Sequence, residues 1–180
     1  MANPSTLYRF KINLSDIDRS VYESLDLRVA RHPSETEDFL VTRVLAYALN
    51  FVDGLLFSPG LSTPDEPAIK LTDTNGGVRL WIDIGNPTAR RLNKASKAAK
   101  SVRVYTYKDP ENLIREAANE RIYNSSEIEI YSLASSLLNP LGQTLARDNC
   151  WAIIHNDSEL TVSLGEESFT CGLQRHRLEN

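Results

Sequence analysis

The chain has 180 residues, 41% of them apolar, which suffices for one well-packed domain, and its eight glycines and eight prolines mark no repetitive or low-complexity stretch. A formal charge of −4 and an isoelectric point of about 5.4 argue against the broad basic surface of a protein that coats nucleic acid. No stretch approaches the roughly 18 to 20 apolar residues of a membrane span, and Met1 to Thr6 opens no secretory signal, so the expectation is one cytoplasmic domain over residues 1–180.

Leu7 to Leu14 places Tyr8, Phe10, Ile12 and Leu14 at a period of two, and Ser20 to Arg31 repeats it with Leu25, Leu27 and Val29. These segments predict a hairpin. Its turn, Ser15 to Arg19, has no glycine; serine and aspartate side chains there can bond to the nearby backbone instead. Ser34 as N-cap with Glu37 three residues on predicts a capping box, followed by the apolar stripe Phe39, Val41, Leu45, Leu49 and Val52 of a helix that ends by Asp53-Gly54. Pro59 to Pro67 reads as a loop, and Ala68 to Leu71 and Val78 to Ile84 flank the turn Thr72 to Gly77 as a second hairpin.

Asn86 as N-cap and Pro87 at the first position predict a helix to about Lys100, with Leu92, Ala95 and Ala99 buried, running into a strand at Ser101 to Tyr107. Asp109-Pro110 opens a further helix to about Asn119. A strand at Ile128 to Tyr131, a short helix over Ala134 to Leu138, and strands at Cys150 to His155, Leu160 to Leu164 and Phe169 to Leu173 close the chain, the last three antiparallel. The sum is an α+β fold: a mixed central sheet flanked by helices, with extra antiparallel strands.

Several enzyme classes are absent from the pattern. There is no serine hydrolase elbow, no glycine-rich phosphate loop and no zinc spacing, and Cys150 and Cys171 read as reduced core residues. Thr88 to Val104 carries Arg90, Arg91, Lys94, Lys97, Lys100 and Arg103 with no acid, and Arg90, Lys94 and Lys97 share one helical face. Asp83 is flanked by Trp81, Ile82 and Ile84, and an acid buried in such a strand needs a partner or a metal. Alternation puts Trp81, Asp83 and Gly85 on one face. His32, ahead of Pro33, is expected to hold its loop by a side-chain hydrogen bond.

Four segments carry a resemblance: Ala30-Arg31-His32-Pro33-Ser34-Glu35-Thr36; Gly60-Leu61 leading to Asp65-Glu66-Pro67; Leu80-Trp81-Ile82-Asp83-Ile84-Gly85 with Pro87; and Arg90-Arg91-Leu92-Asn93-Lys94-Ala95. In order, spacing and chain length they are similar to the YaeQ family of small soluble bacterial proteins. That resemblance implies a variant of the PD-(D/E)XK restriction-endonuclease-like fold. In its usual pattern a proline-aspartate precedes one strand, and an acid and a lysine two residues apart lie on the next. Pro64-Asp65-Glu66-Pro67 and Asp83 match the acids, whereas Gly85 stands where the lysine belongs. The resemblance assigns that lysine's role to Lys94 and makes Glu35, the first-helix acid, a further ligand beside Glu66 and Asp83 for Mg2+ or Mn2+.

Arg90, Arg91 and Lys97 would then contact nucleic acid. Two functions stay open: a divalent-metal-dependent nuclease, and a catalytically inactive regulatory or interaction protein on the same scaffold.

Overall fold

A computed structural model describes residues 4–59 and 65–178. Gly60, Leu61 and Pro64 of the expected loop and motif, and the first three residues, lie outside the described residues. In chain order the elements begin β1 (Thr6–Asp16), β2 (Val21–Arg31), α1 (Glu37–Leu49), β3 (Leu56–Phe57), β4 (Ile69–Thr72) and β5 (Val78–Ile84). They continue α2 (Ala89–Ala98), β6 (Ala99–Thr106), α3 (Pro110–Ala118), β7 (Ile128–Ser132), α4 (Ser135–Gln143), β8 (Asp148–Asn156), β9 (Glu159–Leu164), β10 (Glu167–Gly172) and β11 (Gln174–His176). The chain divides into two compact units: residues 1–41 with 133–173, and residues 42–132 with 174–180.

The first unit holds a five-stranded sheet of order β10-β9-β8-β1-β2. β1 and β2 pair antiparallel from Thr6↔Arg31 to Asp16↔Val21 without a register break. β8 joins the other side of β1 in parallel, and β9 and β10 follow antiparallel. Phe10, Ile12, Leu14, Leu25, Leu27, Val29, Trp151, Ile153, Leu160 and Val162 are buried on one face, as the two-residue period requires, and Phe10 meets Trp151 edge-on at 4.9 Å. The opposite face is open. It carries a shallow groove of about 550 Å³ lined by Lys11, Asn13, Ser24, Asp26, Cys150 and Ser163 among others.

The second unit holds a six-stranded sheet of order β11-β7-β6-β5-β4-β3. β5, β6 and β7 run parallel, so each step needs a crossover, and α2 and α3 provide them. Trp81, Val102, Val104, Ile128 and Ile130 pack in one cluster with Leu92, Ala95, Leu113 and Ala117 of those helices. The mixed α+β class is as expected, but there are two mixed sheets where the periodicity suggested one central sheet. Alternation tells which side of a strand is wet, not which strand lies beside it, and the terminal strands join the first hairpin.

Two helix starts move. Thr36, not Ser34, caps α1: its Oγ1 accepts from the Phe39 amide at 3.1 Å, while Ser34 Oγ is held by His32 Nδ1 at 2.6 Å. His32 thus does hold its loop, and by taking Ser34 it delays the helix. Thr88, not Asn86, caps α2, accepting from the Arg91 amide at 3.2 Å. Asn86 instead accepts from Thr106 Oγ1 at 2.6 Å and donates to the Asp109 carbonyl at 3.0 Å. α2 ends at Ala98 and β6 begins at the next residue, so the expected end at Lys100 is two residues late. α3 starts as anticipated, with Asp109 accepting from the Glu111 amide and Pro110 in the first turn. Both cysteines are free, Cys171 buried and Cys150 exposed, so only one of the two is a core residue. Among the described residues no helix is long and apolar enough to cross a membrane.

Candidate functional site at Asp83 and Arg91

Asp83 lies one residue from the end of β5, on the face that carries Trp81, and is 2% exposed. Such a carboxylate is costly to bury alone. Its answer comes from the first turn of α2: Arg91 Nε donates to Oδ2 at 2.8 Å and Arg91 Nη2 to Oδ1 at 2.8 Å, the parallel fork that guanidinium geometry favours. Arg91 Nη2 also donates to the Glu66 carbonyl at 2.8 Å, and the guanidinium sits 5.8 Å from the Trp81 ring centroid. One side chain therefore ties the end of β5, the loop before β4 and the start of α2. The hydrogen bonds to Asp83 push the Arg91 pKa above its ordinary value, against the opposing effect of burial.

The other predicted residues gather around this pair as salt bridges. Lys94, one turn along α2, bonds to Asp65, and that bond holds the exposed Asp65 carboxyl below the usual range. Glu66 Oε2 lies 3.6 Å from Lys70 Nζ. Arg90 and Lys97 are exposed on α2. The hairpin acids and helix cations do meet, but as cation–carboxylate pairs.

Glu35 belongs to the first unit, is 4% exposed, and stands ahead of α1 rather than in its first turn; its carbonyl accepts from Arg31 Nε at 3.1 Å. Among the described residues no group of three or more histidine, cysteine, aspartate or glutamate side chains is arranged to hold a metal ion. As arranged, Glu66 and Asp83 do not fit a divalent ion, because both Asp83 oxygens accept from a cation and Glu66 faces Lys70.

Gly85 has a backbone reason to replace lysine. Its φ is +86°, and its amide donates to the Tyr105 carbonyl at 2.8 Å. A side chain there sits in the left-handed region that glycine tolerates and lysine does not.

The YaeQ protein family model matches residues 1–173. This chain belongs to the YaeQ family. The proteins named "Uncharacterized protein YaeQ" from Escherichia coli (strain K12) and Salmonella typhi are each 38% identical to it over 107 residues. That match covers 59% of the chain, and the chain spans 59% of the length of these curated relatives. Crystal structures of YaeQ proteins extend the likeness across the fold. The Xanthomonas axonopodis pv. citri protein has a TM-score of 0.88 at 30% identity, over 97% of this chain and 99% of that one. The Pseudomonas syringae protein has a TM-score of 0.87 at 31% identity, over 99% and 98%.

Two clusters in this YaeQ-family chain escaped the sequence reading. In the first unit Asp16, fully buried at the end of β1, accepts from Arg19 Nε at 2.6 Å, the Arg19 amide at 3.2 Å and His155 Nδ1 at 3.0 Å. Asp18 beside it accepts from the Ser158 and Asp157 amides, which hold its carboxyl below the usual range. In the second unit Tyr105 and Tyr131 stack at 5.0 Å. Tyr105 Oη accepts from Asn50 Nδ2 at 2.9 Å, and Tyr131 donates to Glu129, near which Arg103 and Arg175 lie at 3.7 and 3.8 Å. Burial pushes the Tyr105 hydroxyl far up, and burial with the bond to Glu129 raises Tyr131 to about 12. The only signal for either cluster was a polar residue inside an alternating strand.

Proposed function

We propose that this chain is a regulatory or interaction protein built on a catalytically silent variant of the PD-(D/E)XK core, with the Arg91 guanidinium taking the place a nuclease metal would hold. The order β4, β5, α2, β6 follows the hairpin, helix and strand expected of that core, which supports the reading. One observation carries the silence: both oxygens of the buried Asp83 are bonded to Arg91. Gly85 at positive φ agrees with it, since the strand offers no lysine to position a water.

Calorimetric titration of Mg2+ and Mn2+ into the wild type and Asp83→Asn tests the reading. The expected result is no saturable binding in either, and no cleavage of single-stranded, duplex or structured nucleic acid. Saturable binding that disappears in Asp83→Asn would overturn it.

A second reading is favoured by one observation, the gathering of Asp65, Lys94 and the Glu66 backbone around Arg91. With Arg91 rotated away, Asp83 and Glu66 would hold Mg2+ or Mn2+, Lys94 would position water or phosphate, and Arg90, Arg91 and Lys97 would face nucleic acid. Metal-dependent cleavage lost in Lys94→Ala establishes that reading.

A further inference from the structure

Between β4 and β5 the chain reverses through Thr72-Asp73-Thr74-Asn75-Gly76-Gly77, a segment in which the Asp83–Arg91 site has no part. The Gly76 amide donates to the Asp73 carbonyl at 3.1 Å and closes the turn, with Gly76 itself at φ +83°, the left-handed position where hairpins favour glycine after asparagine. The Asp73 carboxylate braces this turn from within. Its Oδ1 accepts from the Asn75 amide at 3.0 Å and the Gly77 amide at 2.8 Å, while Lys100 Nζ lies 3.6 Å from Oδ2. The Gly77 amide, then the Asn75 amide and Lys100, hold the Asp73 carboxyl below the usual range, so it is charged at neutral pH.

The same turn joins the two groups that asparagine chemistry needs. Asn75 and Gly76 are both exposed, so water reaches them, and a Cβ added at Gly76 would meet nothing within 4 Å. Glycine is also the residue whose amide nitrogen no side chain screens. A backbone nitrogen so placed can close on the side-chain carbonyl carbon of the asparagine before it, which is one reason asparagine counts among the thermolabile residues.

We propose that Asn75 is a site of spontaneous deamidation through Gly76, with Asp73 as the latch that sets its rate. The Gly76 nitrogen gives up its proton and bonds to Asn75 Cγ, the bond from Cγ to the side-chain nitrogen breaks, and ammonia leaves carrying that proton. Water then opens the cyclic imide at either carbonyl, giving aspartate or isoaspartate, so the sum is asparagine plus water to acid plus ammonia. Two features of the turn slow the first step. The Gly76 hydrogen is engaged with the Asp73 carbonyl, and the Asp73 carboxylate opposes the negative charge that develops on the nitrogen as its proton departs. The products differ in consequence. Aspartate keeps the backbone and adds an acid beside the Asp73–Lys100 pair, whereas isoaspartate inserts a methylene into a turn closed by the Asp73 amide on the Gly77 carbonyl at 2.8 Å, and so works against the pairing of Thr72 with Val78.

The test is incubation of the full chain in mildly alkaline buffer, sampled over weeks by isoelectric focusing and by peptide mapping with mass spectrometry. The expected result is a more acidic species whose added mass maps to Asn75 as a mixture of aspartate and isoaspartate. Asp73→Ala, which removes the charge and the two side-chain bonds of the turn, should form it severalfold faster. Asn75→Gln, whose imide ring would be larger and slower to close, should not form it over the same period, and it leaves the backbone bonds of the turn in place. An unmodified Asn75 in the wild type, an equal rate in Asp73→Ala, or the same acidic species from Asn75→Gln would each overturn the proposal.

Discussion

Asp16 and Asp83 are both buried strand-end acids, one in each unit, and both are answered by an arginine just downstream. The answers differ in depth. Asp83 depends for its described side-chain bonds on the one guanidinium of Arg91, which is itself half-buried and shared with Glu66. Asp16 shares its load among the Arg19 side chain, the Arg19 amide and His155, so no single side chain carries it. The comparison teaches that a buried charge with one partner is a keystone, whereas one with several is a joint that tolerates loss.

The largest expected effect is therefore at Arg91. Arg91→Ala leaves the Asp83 carboxylate buried against Trp81 and should cost about 3–5 kcal/mol in urea denaturation, the penalty of breaking a buried pair from one side. Arg91→Leu with Asp83→Asn should recover most of that loss. Arg19→Ala should cost less, about 1–2 kcal/mol, since two donors to Asp16 survive. Equal losses in the two arginine variants would break the comparison.

A third experiment sharpens the contrast at high pH. Free tyrosine ionises near 10, while burial raises Tyr105, and raises Tyr131 to about 12. An acid whose neutral form is favoured in the fold is harmless below the unfolded value and costs stability above it. Stability should be unaffected up to about pH 10 and fall as the pH climbs toward 12. Tyrosinate absorbance should show three of the seven tyrosines, Tyr47 with its hydroxyl also raised by burial, Tyr105 and Tyr131, lagging until the second unit opens. Seven tyrosines titrating together near pH 10 in a folded chain would remove the buried-network account.

The site was half legible. Asp83 announced itself, because an acid between Trp81, Ile82 and Ile84 has no cheap way to be buried, and the basic run of α2 was plain. Arg91 was read as a nucleic-acid contact because a string of cations looks alike residue by residue, and only the pitch of α2 against the end of β5 singles one out. The caps at Thr36 and Thr88 were misread for a similar reason. Ser34 and Asn86 are good caps by chemistry, but His32 and Thr106 had claimed them, and such claims come from outside the helix.

The sequence by itself determined the helices, the longer strands, most of the buried side of each and the family, but not the short β3 and β11, nor that Val52 is exposed beyond the end of α1 and that Ala99 opens β6. What it determined rests on periods and residue types that a short window contains. Tertiary structure alone decided that β8 lies against β1 rather than in the sheet of β5, and that Arg91 answers Asp83. Pairing across long stretches of chain depends on competition among all available partners, and no local window holds that competition.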